Sequence, residues 1–412
     1  MLYDYTLGLR EDEIEAINRA RDLAPGFAER AAHHDETGEF PHENLARLDA
    51  AGLMDVVIPR EFGGTGSPEL FCGAVPTFVV FEIAKACAGT AWCLLSHYHA
   101  TGQVAGVATA EQAKEIFGRA VANRERFATI GSEINIQNAQ TSTEAALSID
   151  QDTITDDEGL IIRSGFKGFT STAAFADRIV WWHKDPESMG LAEGLLLSLV
   201  PRDRSGWNFL PGWENAIGIR CSASGPAKVE NLRIYRDEIL GGPGDWTYKH
   251  PYTHELLYAA LLTGIAAAAY DGTLEAVRGR TELHTDRALM NYIGEMSSAV
   301  QAAIAGLRYA TEAWKALPSG DAHHITIRAL HTAKETAQEA TRRSFELVGT
   351  RAAMRKAPFD RYRRDSRVAS LHTREWQHME WVARGDLTGE RFAKEKYGPA
   401  PSAAAVEAGT GR

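Results

Sequence analysis

Three histidines in this 412-residue chain stand in sequence contexts where an imidazole could handle a proton. An imidazole changes charge close to neutral pH, so it can act as a general acid, a general base or a hydrogen-bond donor. His97 and His99 close the segment Gly89-Thr-Ala-Trp-Cys-Leu-Leu-Ser-His-Tyr-His99, and His372 closes Arg364-Asp-Ser-Arg-Val-Ala-Ser-Leu-His372. Residues two apart on a helix diverge by about 200°, so only one of His97 and His99 can face a given pocket, and the register favours His99.

Other kinds of chemistry lack the residues that they need. The sequence has no His, Asp and Glu cluster at metal-ligand spacing, so we predict no metal site. It also lacks a G-x-G-x-x-G fingerprint, so we predict no nicotinamide site and no NAD(P)H oxidase activity of the isolated chain. With 44 Lys and Arg against 55 Asp and Glu, the net charge is −11 and no basic run occurs, which argues against nucleic acid as a partner.

The first residues, the lack of a long apolar run and the cysteines predict a cytoplasmic protein that has no membrane partner. The first residues do not combine a basic start with an apolar stretch, as a secretory signal would. No apolar run reaches the length expected of a transmembrane helix. The four cysteines form no C-x-x-C pair, and we expect them to be reduced thiols.

The elements that position these residues follow an uncommon order of helices, then strands, then helices. Apolar residues recur at helical spacing from about 11 to 105, and the apolar stretch from Pro76 to Val104 predicts one long buried helix. Short alternating segments between about 127 and 240 predict a compact antiparallel β domain. Long helices from 254 to 384 predict a bundle. The fold class is therefore α+β, with a helical domain (1–122), a β-barrel-like middle domain (123–242), a C-terminal four-helix bundle (243–398) and a disordered tail (399–412).

Three segments in this order resemble the acyl-CoA dehydrogenases. Val57-Ile-Pro-Arg-Glu-Phe-Gly-Gly-Thr-Gly66 is similar to a glycine-rich loop of that family. Gly165-Phe-Lys-Gly-Phe-Thr-Ser-Thr-Ala-Ala-Phe-Ala-Asp177 resembles the family's strand along the flavin, and Phe359-Asp-Arg-Tyr-Arg-Arg-Asp-Ser-Arg367 resembles its C-terminal helix entry. The resemblance implies the acyl-CoA dehydrogenase fold.

The general base of the dehydrogenases is missing from its usual position. A dehydrogenase of this family needs a carboxylate to remove the proton beside the thioester. The resemblance puts Thr373 where most members have that Glu, and a threonine cannot act as a base near neutral pH. Some members carry the base on the first bundle helix instead, where Glu255 lies within one residue of the position. The ordinary interpretation of Glu255 is a solvated or helix-start carboxylate.

Further segments are similar to the flavin-dependent monooxygenases built on this fold, such as dibenzothiophene monooxygenase and the phenol-hydroxylating oxygenase components. The segments ending in His99 and His372 resemble those in which these enzymes carry histidines near the flavin. Gly218-Ile-Arg-Cys-Ser-Ala-Ser-Gly225 resembles a loop of the sulfur-oxidising branch, and Phe345-Glu-Leu-Val-Gly-Thr-Arg-Ala-Ala353 resembles their Gly-[GS]-x-Arg-Ala turn.

The resemblance implies a two-component monooxygenase. Reduced flavin (FADH2 or FMNH2) then comes from a separate NAD(P)H:flavin reductase and reacts with O2 to a C4a-hydroperoxide. This intermediate oxygenates a hydrophobic aromatic or heteroaromatic molecule, or an amine as in the N-oxygenase relatives, and the sequence does not choose among carbon, sulfur and nitrogen as the oxidised atom.

The same resemblance suggests a role for each candidate residue. His372 would stabilise the hydroperoxide, His99 (with His97 as the alternative) would orient or deprotonate the substrate, and Ser171 would bond flavin N5. The residues expected to hold the flavin ring and phosphate are Gly131, Ser132, Thr170, Ser171, Gly349, Thr350 and either Arg278 or Arg280, the arginine acting across a subunit interface.

Two other functions are compatible with the sequence. One is a true acyl-CoA dehydrogenase that uses Glu255 as its base. The other is a catalytically silent scaffold that oligomerises through the bundle. The family is commonly tetrameric, and the Ala-rich run from Ala259 to Ala269 permits the close helix packing that a homotetramer needs.

Overall fold

A computed structural model describes residues 4–131, 151–188, 191–248, 254–372 and 375–391 of the chain. Helices form its first part because apolar residues repeat along them at helical spacing. Proline is tolerated inside the first helix, which continues through Pro25. The five helices are α1 (Glu11–Thr37), α2 (His42–Ala50), α3 (Ala74–Ala86), α4 (Ala88–Val107) and α5 (Ala110–Asn123).

The stretch predicted as a single helix from Pro76 to Val104 is two helices, α3 and α4. Cys87 has extended dihedral angles, φ −149° and ψ 99°, so it ends α3 and serves as the N-cap residue of α4. Periodicity could not reveal this break, because both helices are buried on almost every side. The break gives α4 an N-terminus of its own in the protein interior.

In the described part of the middle region, eight strands form two four-stranded sheets. One sheet has the order β1-β4-β5-β8 and the other β2-β3-β7-β6. β1 pairs with β4 in parallel, which differs from the antiparallel arrangement expected for the domain. The reason is that β2 and β3 lie between them in sequence but belong to the other sheet. The strands are β1 (Phe127–Ile130), β2 (Asp152–Asp156), β3 (Gly159–Lys167), β4 (Arg178–Lys184), β5 (Leu195–Pro201), β6 (Trp207–Phe209), β7 (Ala227–Tyr235) and β8 (Ile239–Leu240).

Two one-turn helices, α6 (Leu191–Gly194) and α7 (Asp245–Tyr248), precede β5 and follow β8. Residues 145–149, within the region where alternating segments predict strands, lie outside the described residues. The inner faces of the two sheets carry large apolar side chains, among them Trp181, Ile162 and Leu232, that form one core between the sheets.

The last part of the chain is a helical bundle built around a buried central helix. Its helices are α8 (Glu255–Arg278), α9 (Arg287–Ala316), α10 (Ser319–Val348), α11 (Phe359–Ser370) and α12 (Glu375–Thr388). By length and composition α8 could span a membrane, so the expectation that no apolar run reaches that length is wrong, yet 83% of its apolar window is buried in the protein. It is the core helix of the bundle.

The Ala-rich run of α8 packs inside the chain rather than against another subunit. Every residue from Ala259 to Ala269 is buried. A Cβ on Gly264 would lie 2.6 Å from the Ala84 side chain and from the Phe81 carbonyl oxygen, so α3 and α8 touch at their backbones. Residues of α1, α3 and α4 share one apolar core with α8, α9 and α10. This shared core brings α4, the start of α8 and the end of α11 together.

Candidate functional site

Five ring-bearing side chains from three separate parts of the chain meet in what we call the aromatic cluster: Trp92, His99, His254, Tyr258 and His372. The His372 ring stacks on Tyr258, with centroids 4.0 Å apart, and meets Trp92 edge-on at 5.5 Å. The His99 ring stacks on His254 at 4.4 Å, and His254 is 5.8 Å from His372. His254 therefore links the two histidines that the sequence singled out.

Helix α4 determines which of the paired histidines reaches the cluster. Trp92 and His99 are seven residues apart and lie on one face. His99 Nε2 is 2.9 Å from the Gln103 side-chain nitrogen, one turn further along. Because Trp92 and His99 are buried, their ring positions are determined by packing within the core.

His97 points to the other side of α4 and is bonded to backbone at both ring nitrogens. Its Nδ1 accepts the Phe127 N–H at 3.0 Å, and its Nε2 lies 3.2 Å from the Met54 carbonyl oxygen. This pairing requires the neutral ring with the proton on Nε2. Burial lowers the pKa of His97 to about 4, so the ring stays neutral at physiological pH. The structure thus gives His97 the role of a structural link between α4 and β1.

His372 lies just beyond the end of α11 rather than on the helix. The helix ends at Ser370, and the His372 N–H bonds the Ala369 carbonyl oxygen at 3.4 Å. Its side chain is exposed, whereas Tyr258 beneath it is 5% exposed. His372 therefore forms the solvent-facing wall of the aromatic cluster. Thr373, at the usual base position, lies outside the described residues.

The sequence did not indicate His254 as a site residue, and it did not indicate that Glu255 is buried. His254 stands immediately before α8, four residues ahead of Tyr258, and that spacing on a helix was the available signal. Glu255 begins α8, as expected, but it is 3% exposed rather than solvated. One of its carboxylate oxygens is 3.8 Å from His254 Nδ1, and the other is 3.9 Å from His378 Nε2. Glu255 is therefore a buried carboxylate between the imidazoles of His254 and His378, next to the aromatic cluster.

A chain of hydroxyl groups joins the β domain to the aromatic cluster. The Trp92 indole N–H donates to Ser171 Oγ at 3.1 Å, and Ser171 Oγ is 2.6 Å from Ser224 Oγ. Ser224 in turn is 2.7 Å from Ser222 Oγ. The neighbouring Thr170 hydroxyl is buried and donates to the Gly225 carbonyl oxygen at 2.7 Å. Ser171 thus bonds one side chain of the aromatic cluster, Trp92, and one of the Gly218–Gly225 loop, Ser224.

The Gly218–Gly225 loop, which contains two of these serines, contacts the Arg364–His372 segment. The Ile219 N–H donates to Asp365 Oδ1 of α11 at 2.7 Å, and a Cβ on Gly218 would lie 2.6 Å from the Arg364 backbone. Ile219 and Ala223 adopt positive φ, 51° and 48°, which is unusual for residues other than glycine. Burial raises the pKa of Asp365 to about 7. The Gly218–Gly225 loop is therefore shaped by a contact with α11.

The first glycine expected to hold a flavin sits at the end of β1. Lys167 Nζ donates to the carbonyl oxygens of Gly131 at 3.5 Å and Trp182 at 3.0 Å, and a Cβ on Gly131 would lie 2.8 Å from the Trp182 ring. Ser132 lies outside the described residues. Planar aromatic walls next to the hydroxyl groups of Ser171 and Ser224 suit a flat ring system with a polar edge, so this donor set fits an isoalloxazine.

The residues expected to hold phosphate lie far from this ring site within one chain. Tyr258 and Arg278 are twenty residues apart on α8, which corresponds to about 30 Å. Gly349 and Thr350 follow α10 at the same distant end, because Val348 packs near Ala276. Arg278 is exposed and paired with Glu275 at 3.3 Å. One chain therefore does not bring these residues and the aromatic cluster to the same ligand.

Two stretches of the sequence match known domains. Residues 10–124 match the acyl-CoA dehydrogenase N-terminal domain, and residues 256–375 match the acyl-CoA dehydrogenase C-terminal domain. Together they account for more than half of the chain and lie on either side of the two sheets.

Proteins similar over nearly the whole chain include several monooxygenases. The chain is 27% identical to the dibenzothiophene monooxygenase of Mycolicibacterium goodii, covering 87% of this chain and 90% of that one. It is 26% identical to a probable FMNH2-dependent monooxygenase of Pseudomonas putida, covering 87% and 91%. The FMN-bound crystal structure of TdsC from Paenibacillus sp. A11-2 has a TM-score of 0.82 at 25% identity and covers 93% of this chain and 99% of that one.

Proposed function

The chain belongs to the acyl-CoA dehydrogenase family, and on that premise we propose that it is the oxygenase component of a two-component flavin-dependent monooxygenase. It uses reduced flavin and O2 to oxygenate a hydrophobic aromatic or heteroaromatic molecule through a flavin C4a-hydroperoxide. A separate NAD(P)H:flavin reductase supplies the reduced flavin. The aromatic cluster is the observation that carries the proposal. It brings His99 and His372 together with the Trp92 indole and the Tyr258 phenol ring, and the Trp92 N–H donates to Ser171.

The relatives support FMN as the flavin to test first. One is FMN-bound and another is named as FMNH2-dependent. A structure of TdsC with FMN and indole, similar to this chain with a TM-score of 0.81, supports a flat heteroaromatic substrate. The walls of the cluster are aromatic, and such walls favour a planar apolar ligand.

The bound flavin supplies the redox chemistry, and the residues of this chain hold it and manage protons. We assign to His372 a hydrogen bond from its imidazole to the reactive oxygen, because its ring is held flat against Tyr258. We assign to His99 the positioning or deprotonation of the substrate, with Gln103 bonded to its Nε2. Ser171, held by Trp92 and Ser224, bonds the flavin edge. Because His372 is exposed in the isolated chain, its role depends on flavin and substrate covering it.

We also propose that the complete site needs a second copy of the chain. The distance of about 30 Å between Tyr258 and Arg278 supports this, since a flavin ring at one end of α8 cannot bring its phosphate to the other end. Arg278, Gly349 and Thr350 would then serve a neighbouring subunit, as in a homotetramer. Four buried thiols support a cytoplasmic location.

One observation favours a second candidate function, acyl-CoA dehydrogenation. Glu255 is a buried carboxylate directly behind the aromatic cluster, where a base could stand. Anaerobic bleaching of bound flavin by butyryl-CoA, octanoyl-CoA or isovaleryl-CoA, lost in Glu255→Gln, would support that activity. We expect no bleaching.

The decisive experiment mixes the protein and reduced FMN or FAD with oxygenated buffer in a stopped-flow spectrometer. A long-lived hydroperoxide band is expected, and His372→Ala should shorten its lifetime by about 100- to 1000-fold, as for the loss of one donor at an oxyanion hole. Peroxide released per reduced flavin should rise accordingly, while FMN binding and Tm stay nearly unchanged. His33→Ala, at an exposed histidine paired with Glu39, is the matched control. If neither the natural protein nor His33→Ala forms the hydroperoxide band with indole and related heterocycles present, the proposal is wrong.

A further inference from the structure

Two of the four cysteines lie together beneath the serines of the site, in a place that the proposed reaction does not use. Cys87 is the N-cap residue of α4, and Cys221 lies in the Gly218–Gly225 loop. They are 4% and 3% exposed. The two thiols interact, because each shifts the pKa of the other. A Cβ on Gly89 would lie 2.3 Å from Cys221 Sγ, so the loop sulfur rests directly on the first turn of α4.

The surroundings of Cys87 favour a thiolate. Its sulfur accepts the Thr90 hydroxyl at 3.2 Å, and that hydroxyl accepts the Asn44 amide at 2.8 Å. The Arg30 guanidinium donates to the Asn44 oxygen at 2.7 Å, which aligns the donors toward Cys87. The sulfur also stands at the positive end of a 20-residue helix. The interaction with Cys221 is the largest cause that lowers the pKa of Cys87, while the pKa of Cys221 is raised.

We propose that Cys87 and Cys221 form a peroxide-sensitive thiol pair that closes to a disulfide between the start of α4 and the Gly218–Gly225 loop. The Cys87 thiolate attacks hydrogen peroxide, so that the O–O bond breaks, an S–O bond forms and hydroxide leaves. Cys221 then attacks the sulfenic acid. The S–S bond forms, the S–O bond breaks, and the hydroxyl group leaves as water with the Cys221 proton. In total two thiols lose two electrons, and one peroxide becomes two waters.

The position of the pair connects it with the site. Ser222, next to Cys221, bonds Ser224, and Ser224 bonds Ser171. A disulfide would therefore tie the loop that supports Ser171 to α4, which carries Trp92. In the cell the oxidant would be the peroxide released by uncoupled turnover, so the physiological role rests on the proposed function, whereas the thiol chemistry does not.

The test treats the full-length protein, without flavin or substrate, with hydrogen peroxide near neutral pH. Thiols are then alkylated in denaturant and the peptides analysed by mass spectrometry. We expect one linked peptide pair, Cys87 with Cys221, reversible by dithiothreitol, while Cys72 and Cys93 remain alkylated. In Cys221→Ser, dimedone should trap a sulfenic acid on Cys87. In Cys87→Ser, oxidation of Cys221 should be lost.

Two further variants distinguish an effect on the reactivity of Cys87 from a general effect on the fold. Thr90→Val should slow oxidation of Cys87 by about three- to ten-fold, because the thiolate loses one donor. Cys93→Ser, at a buried thiol whose pKa is raised by burial, should leave formation of the linked pair unchanged. Absence of the linked peptide, or equal oxidation of Cys72 and Cys93, would overturn the proposal even if the monooxygenase reaction is found. A linked pair in a protein that forms no hydroperoxide would leave this chemistry standing and remove the monooxygenase function.

Discussion

We expect Asp365→Asn to flatten the dependence of stability on pH, because Asp365 is a carboxyl group that the fold prefers to keep protonated. Its side chain is buried on α11, and its Oδ1 accepts the Ile219 N–H at 2.7 Å. Asparagine keeps a carbonyl oxygen at that position, so the Gly218–Gly225 loop retains its contact. The variant therefore removes the titration and leaves the hydrogen bond.

The size of the effect follows from the shifted pKa. Burial raises the pKa of Asp365 from 3.8 to about 7. For an acid this means that the folded state binds the proton more tightly, so stability is fully present below the unfolded pKa and is lost as pH rises toward the folded pKa. Each pH unit in that window costs about 1.4 kcal/mol, so the loss between about pH 5.5 and pH 7 is about 2 kcal/mol. Above pH 7 the loss levels off.

Urea unfolding at a series of pH values from about 5 to 8.5 measures this directly. The free energy of unfolding of Asp365→Asn minus that of the natural protein should rise by about 2 kcal/mol between pH 5.5 and pH 7 and then stay constant. Asp360→Asn, at the half-exposed first turn of the same helix, serves as control and removes an ion pair with Arg364. A difference that does not change with pH would show that Asp365 is not held protonated, and the argument from its burial would fail.

Three more outcomes are expected. Gly102→Ala should lower the free energy of unfolding by about 1–3 kcal/mol, because the new Cβ would lie 1.9 Å from the buried Phe71 ring, whereas Gly118→Ala on α5 meets no atom within 4 Å and should be neutral or stabilising. Ser171→Ala should cost about 1–3 kcal/mol, since it leaves the Trp92 indole N–H without its acceptor, and it should weaken FMN binding measured by fluorescence quenching. The purified chain should consume no NADH until an unrelated flavin reductase is added, and rapid NADH consumption by the chain alone would contradict the two-component assignment.

Local sequence determined much of the framework. Helical periodicity predicted the long helices of the first and last parts, and alternating segments predicted the strands between them, because these patterns reflect interactions among residues close in sequence. Motif resemblance also pointed to the acyl-CoA dehydrogenase family, which the two matched domains confirm. The segments that carry His99, His372 and Ser171 were all recognisable in this way.

Tertiary structure decided what these residues touch. His254 joins the aromatic cluster and Glu255 is buried only because α4, α8 and the end of α11 pack together across long sequence distances. The break at Cys87 and its contact with Cys221 were equally hidden, since both flanking helices are apolar and the partner loop lies more than a hundred residues away. Sequence patterns record the preferences of neighbouring residues, whereas burial, charge pairing and ring stacking depend on which distant segments the fold brings into contact.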